Sequence, residues 1–341
     1  MKVKRGIFIV FLIFVFIICF FKMNEHYDEL ARYPYELNDE QRDLVLTYFD
    51  AEEINYLVTQ KIKPEEFLPY IDVEGFTLTN TLWYDRAYKT RKDNKEYIVS
   101  FINKYRSQLK YDTLDDILKH YSYNILKRFF DEGDSFDEEA VLVTNPSDMY
   151  TILNEHETLY IYEPNKLVSI NDLPHNAIGR KNDVVIREEV VKPLKELGKA
   201  MREINKKDFA GLEISAGYVS YESQHELYYA TKEKYGDKVS RYFDSPGRNE
   251  YQLGYTIQLR QPHSKDDEDD KELKKEVQEK AIWLKDNAYK YGFVVRYPKS
   301  KENVTLKKYQ PFGLRYVGKD VAKYMQENKL VLEELNLNDV K

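Results

Sequence analysis

The sequence predicts an α+β protein, and three observations lead there. Helix-start signals fill residues 24 to 135, strand and helix signals interleave irregularly from 136 to 335, and a basic N-terminus opens onto an unbroken apolar run. Strands that are not joined by regular crossover helices favour α+β over a doubly wound sheet. The 341 residues suffice for two modest domains, and 42% hydrophobic residues suffice for a buried core. A net charge of -7 argues against a nucleic-acid partner, because phosphate binding needs a basic face. The only cysteine, Cys19, lies within the apolar run, which excludes an intrachain disulfide and a Cys-based zinc cluster.

Lys2, Lys4 and Arg5 precede the apolar stretch from Ile7 to Phe21, and Lys22 closes it, the charge order of a signal sequence or signal anchor. The flank Phe20-Phe21-Lys22-Met23-Asn24 offers no small-residue cleavage site, so residues 1–23 are expected to stay as a single-pass transmembrane anchor. The rest of the chain would then lie outside a bacterial cell membrane. Ile17-Ile18 ahead of Cys19 lacks the small residues that lipoprotein processing needs.

Asn38 to Gln41 and Asp50 to Glu53 read as capping boxes, and Pro64-Glu65-Glu66 as a helical first turn. Asn94 to Arg106 and Thr113 to Phe130 carry apolar residues at helical spacing. The charged run Asp131 to Ser135 reads as a linker, placing a boundary near residue 135. Beyond it, Ala140 to Thr144, Thr158 to Tyr162, Leu212 to Ala216, Phe293 to Tyr297 and Leu314 to Val317 read as strands, and Tyr251 to Arg260 as extended chain. Glu188 to Asn205, Ser220 to Tyr235, Lys271 to Tyr291 and Lys319 to Asn328 read as helices.

Four segments carry a resemblance: Gly217-Tyr218-Val219-Ser220-Tyr221-Glu222-Ser223-Gln224, Pro246 to Gly254, Trp283 to Pro298, and Arg315-Tyr316-Val317-Gly318. In this order they resemble the signature elements of the VanY-type D-alanyl-D-alanine carboxypeptidases. The resemblance spans roughly residues 155 to 330 and implies a LAS-type peptidase domain, a small antiparallel sheet flanked by helices, over 136–335. The helical region 24–135 resembles a leader.

In that family, the resemblance implies, zinc is held by a His, by an Asp seven residues later and by a second His, beside a Glu that acts as general base. Zinc takes three such ligands and keeps one position for a water of lowered pKa. Aligned on the flanks, the first His is Tyr251 here, the Asp is Gln258, the second His is Gly313 and the base is Gln310; Val219 replaces an Arg. A phenol and an amide are poor zinc ligands at neutral pH, and glycine is none. The chain is therefore expected to be a pseudopeptidase with neither zinc nor another cofactor. The alternative is an active carboxypeptidase with relocated ligands. Filling of the space beside Gly313 by the Tyr251 ring, with Gln258 or Gln310 meeting its hydroxyl, is a further expectation.

Other chemistry is thinly supported. His225-Glu226-Leu227-Tyr228-Tyr229 begins like HExxH, but its second His is Tyr229. His263 beside Asp266, Asp267, Glu268, Asp269 and Asp270 lacks EF-hand spacing and reads as a solvated acidic loop, and His26, His120, His156 and His175 stand singly. Ser107-Gln108-Leu109-Lys110 matches SxxK without a following KTG and reads as a surface turn.

Ser220, Gln224, Gln252, Gln310 and Arg315 remain as groups able to offer hydrogen bonds to a ligand, or to serve internal ones. Gln310 is favoured for ligand contact, because an amide at the base position binds a carbonyl or carboxylate without hydrolysing it. The expected partners are a peptidoglycan stem peptide or a cell-wall enzyme, and the membrane through the N-terminal helix.

Overall fold

The computed structural model describes residues 2–25, 28–153, 156–176, 183–236, 239, 244–262 and 271–340. The chain divides into two compact units, Met1–Asp115 and Asp116–Lys341.

The first unit is helical: α1 (Lys2–Glu25), α2 (Asp39–Tyr48), α3 (Ala51–Gln60), α4 (Pro64–Phe67), α5 (Thr81–Thr90) and α6 (Lys95–Tyr105). Both expected capping boxes form. Asn38 accepts from the Gln41 amide while the Gln41 side chain accepts from Asn38 N, and Asp50 and Glu53 repeat the exchange, satisfying amides that the helix itself leaves free. Val45, Leu57 and Phe67 are fully buried together, and Tyr33 donates its hydroxyl to Ile62 O at 2.7 Å.

The expected anchor forms α1, with its apolar side chains from Phe8 to Phe21 exposed. Among the described residues, however, no helix is long and apolar enough to cross a membrane. The physical reason is length: the run from Ile7 to Phe21 advances about 22 Å at ~1.5 Å per residue, short of a hydrocarbon core of ~30 Å.

Helix α7 (Leu114–His120) leads into the second unit, followed by α8 (Tyr123–Glu132). The single helix expected over Thr113 to Phe130 is thus two, separated where Ser122 turns to cap α8 by accepting from Ile125 N. The units divide ahead of the charged run at 131–135, and Tyr121 shows why: it is fully buried and donates to Val143 O. Two short pairs follow, β1 (Val141–Leu142) with β2 (Glu157–Thr158), parallel, and β3 (Leu167–Ser169) with β4 (Val185–Arg187), antiparallel.

The expected helix 188–205 is α9 (Glu188–Ala200) with Pro193 inside it, then a short α10 (Arg202–Asn205). A four-stranded sheet is built from β5 (Glu213–Ala216), β6 (Thr256–Arg260), β7 (Phe293–Tyr297) and β8 (Gln310–Tyr316), in the order β5-β6-β8-β7 with every pair antiparallel. Helices α11 (Tyr221–Tyr235), α12 (Lys271–Asn287), α13 (Glu302–Thr305) and α14 (Lys319–Asn328) complete the unit. This is the α+β fold that the sequence predicts.

Residues alternate between faces along each strand. Ile214, Ile257, Leu259 and Leu314 are fully buried, and helix α12 packs against β7 and β8. At roughly 1.5–3 kcal/mol for each large apolar side chain taken from water, this layer fixes the register of the sheet. Tyr251 to Leu253 depart from the extended reading: Glu250–Leu253 is a 3-10 turn that ends on Gly254, and the strand begins only at Thr256.

Candidate functional site

Register decides the centre of the site. Gln258 on β6 is the cross-strand partner of Gly313 on β8, so their Cα–Cβ directions share one face, at ~5 Å between Cβ positions for such a pair. A Cβ at Gly313 would stand 3.4 Å from both Gln258 Oε1 and Gln310 Oε1. The space left by the missing side chain is therefore rimmed by two amide oxygens.

Tyr251 reaches this point from the 3-10 turn, which Asn249 opens by accepting from Tyr251 N at 2.9 Å. The Tyr251 hydroxyl donates to Gln258 Oε1 at 2.9 Å, as anticipated, while Gln258 Nε2 donates to Leu259 O at 2.8 Å. Burial, helped by the Glu250 carboxylate, pushes the phenol above its usual range, so it remains a neutral donor at physiological pH.

Tyr251, Gln258 and Gly313 do not fit a zinc ion. The oxygen of Gln258 is already occupied by a proton donor, the phenol resists the ionisation that a ligand oxygen needs, and Gly313 has nothing to offer. Among the described residues no group of three His, Cys, Asp or Glu side chains is placed to hold a metal. Gln310 opens β8 opposite Tyr297, half-buried, and its amide hydrogen-bonds no described residue. It can donate and accept, but it cannot take up a proton as a base would.

Other residues singled out in the sequence are engaged internally. Gln224 Nε2 donates to Val219 O at 3.0 Å and to Gln252 Oε1 at 2.9 Å, and Gln224 Oε1 accepts from Gly247 N. Gln252 Nε2 donates to Tyr160 O and Tyr162 O. These two buried amides thus tie the Pro246 to Gly254 segment to the chain at 160–162. Gly247 is required here: its φ is +83° and a Cβ would come within 2.5 Å of Thr158 Oγ1. Ser220 caps α11 by accepting from Ser223 N. Val219 contributes its carbonyl and no charge.

Arg315 is fully buried, its terminal nitrogens donating to Met149 O, Thr151 O, Thr256 Oγ1 and Glu250. Glu250 also takes Arg296, which forks on to Glu333. Burial alone would raise the Glu250 carboxyl, but the charges of Arg296 and then Arg315 hold it below the usual carboxylate range. The sequence reading overlooked this network; an Arg inside an otherwise apolar strand segment, Val294-Val295-Arg296-Tyr297, was the signal for it.

The described histidines stay apart. His225 is exposed with its ring 4.5 Å from that of Tyr229, His156 meets Asp137, His175 meets Leu173 O and His120 meets Ser147. Ser107 is exposed in the middle of a 3-10 turn, Arg106–Gln108. His26, His263 and the acidic run 266–270 lie outside the described residues.

A family model described as VanY, D-alanyl-D-alanine carboxypeptidase, matches residues 183–319. The putative carboxypeptidase YodJ of Bacillus subtilis (strain 168) is 34% identical over 194 residues, covering 56% of this chain and 68% of that protein. The D-alanyl-D-alanine carboxypeptidase of Enterococcus faecium is 30% identical over 121 residues, 36% of this chain and 35% of its own. Among solved structures, the LdcB LD-carboxypeptidase shares 30% identity at a TM-score of 0.47, over 59% of this chain and 91% of that one. VanYB in complex with D-alanine-D-alanine shares 24% at 0.40, over 57% and 99%.

Proposed function

Since the chain belongs to the VanY-type D-alanyl-D-alanine carboxypeptidase family, we propose that it is a non-catalytic member, tethered to the bacterial membrane, that binds peptidoglycan stem peptides outside the cell or regulates a wall-active partner. One observation carries this reading: of the three positions that the family resemblance assigns to zinc, Tyr251 and Gln258 are engaged with each other, and Gly313, across the strands from Gln258, has no side chain. Gln310, at the position of the base, keeps an unengaged amide suited to a carbonyl or carboxylate of the ligand.

The relatives point to the ligand class. VanYB was solved with D-alanine-D-alanine, and the LdcB structure concerns peptidoglycan recognition. The helical first unit is the surface proposed for a cell-wall enzyme. For the tether, the apolar run from Ile7 to Phe21 sits in the bilayer, and basic residues on both sides of it in the sequence let so short a run suffice.

The test is a turnover assay with a muropeptide ending in D-alanyl-D-alanine, run with and without added zinc, alongside the metal content of the purified protein. No released D-alanine and no stoichiometric zinc are expected. Turnover that a chelator abolishes would establish the rival reading, a carboxypeptidase with relocated ligands.

A further inference from the structure

We infer that Arg260 and Glu213 form a dipolar subsite on the face of the sheet that carries Gln258 and Gln310, one that grips an amino acid or short peptide by its free carboxylate and its free ammonium. The inference rests on the peptide-binding reading above and narrows its ligand to amino acids or short peptides with both ends free, because the D-alanyl-D-alanine of an intact stem peptide is acylated at its nitrogen and offers Glu213 no neighbouring ammonium.

The faces of β6 are set by its buried residues. Ile257 and Leu259 are fully buried, so Gln258 and Arg260 lie on the other side, where Gln258 meets Tyr251 and flanks Gly313. Arg260 is the cross-strand partner of Glu213 on β5, and directly opposed residues present their side chains to the same face at ~5 Å. A Glu and an Arg so placed ordinarily close into a salt bridge. Here they do not: Arg260 Nε and Glu213 Oε2 are both cut off from solvent without a hydrogen-bond partner, and no described residue bonds the rest of either group.

Among the described residues just one other side-chain atom shares that condition, Arg315 Nε, and its guanidinium is otherwise fully engaged. Each residue is half-buried, and leaving even one polar atom of a charged group without water or partner is costly, so an opposed pair that is held apart is a place prepared for opposite charges from elsewhere. The planar guanidinium matches a carboxylate bidentately, and Glu213 takes an ammonium. Because β6 and β8 are antiparallel, Arg260 lies at the end of the sheet where β8 begins with Gln310, whose unengaged amide is then available to the ligand between them. Val219 stands where the resembled family has an Arg; Arg260 supplies a guanidinium from β6 instead.

The experiment is calorimetric titration of the full chain in detergent with three probes: D-alanyl-D-alanine, its C-terminal amide and its N-acetyl derivative. The parent should bind the free dipeptide at least about tenfold more tightly than either blocked form. Arg260→Gln should erase the preference over the amide while the affinity for the amide itself stays within about twofold, which also shows that the site is folded. Glu213→Gln should erase the preference over the N-acetyl form. If Arg260→Gln binds nothing, Arg260→Lys decides: a retained preference for the free carboxylate supports the subsite, and indifference overturns it. An undiminished preference in Arg260→Gln overturns the subsite and leaves peptide binding standing. A parent that binds none of the probes removes both.

Discussion

Tyr251 donates its hydroxyl to Gln258 Oε1 at 2.9 Å, and Gln258 is paired across the strands with Gly313. The substitutions at 251 and 258 thus compensate one another in hydrogen bonding, while the space beside Gly313 is rimmed by the amide oxygens of Gln258 and Gln310.

Reversal of one of these substitutions should therefore fail where reversal of all succeeds. Tyr251→His is expected to cost about 1–2 kcal/mol in urea unfolding, the worth of a lost buried hydrogen bond with its packing, and to bind no zinc. Tyr251→His with Gln258→Asp and Gly313→His should bind zinc, measured by atomic emission on dialysed protein, because register brings 258 and 313 face to face. Gln310→Glu on that background should add slow D-alanine release.

Gln252→Leu should destabilise the protein by about 3 kcal/mol, since it leaves Tyr160 O and Tyr162 O without their donor and takes from Gln224 Nε2 one of its two acceptors. Denaturant titration measures this. A variant that instead kept its stability and lost only ligand affinity would return Gln252 to the ligand-binding role the sequence allows.

Glu250 makes stability depend on acid. Its folded carboxyl lies below its unfolded value, so its contribution is complete above the unfolded pKa, near ~4.3, and is lost as pH falls through the folded one. Arg296, Arg315 and Lys307 oppose it and Glu333 shares Arg296. Melting temperatures of the parent should drop steeply below pH ~4, whereas Glu250→Gln should start lower and fall less over the same interval. Arg296→Met, which leaves the buried carboxylate half-paired, should cost about 3–5 kcal/mol at neutral pH.

Cell fractionation checks the tether. The full-length chain should sediment with membranes, resist high-salt extraction and be released by detergent. A mature form beginning near residue 25 in the culture supernatant would show that the apolar run is a cleaved signal.

Periodicity and caps made most helices legible, because a capping box or an apolar stripe is a local property: Asn38, Asp50, Asn94 and Ser220 each cap the helix they were expected to start. The break at Ser122 and the turn at Glu250–Leu253 escaped, since a helix-like or strand-like pattern runs through both and tertiary contacts end it. Gln224 and Gln252 offered no sign of their partners, which lie up to 92 residues away.

By itself the sequence determined the α+β class, the charge order at the N-terminus, and the residue types at 219, 251, 258, 310 and 313, for chemistry is carried by side-chain identity. The tertiary structure alone decided what those types do. Strand register set Gln258 against Gly313 and left Arg260 facing Glu213 unbonded, and packing turned Arg315 and Gln252 inward. Such outcomes depend on which of many possible partners a polar group reaches once the chain has closed on itself, and that is fixed by the burial of the apolar faces around it.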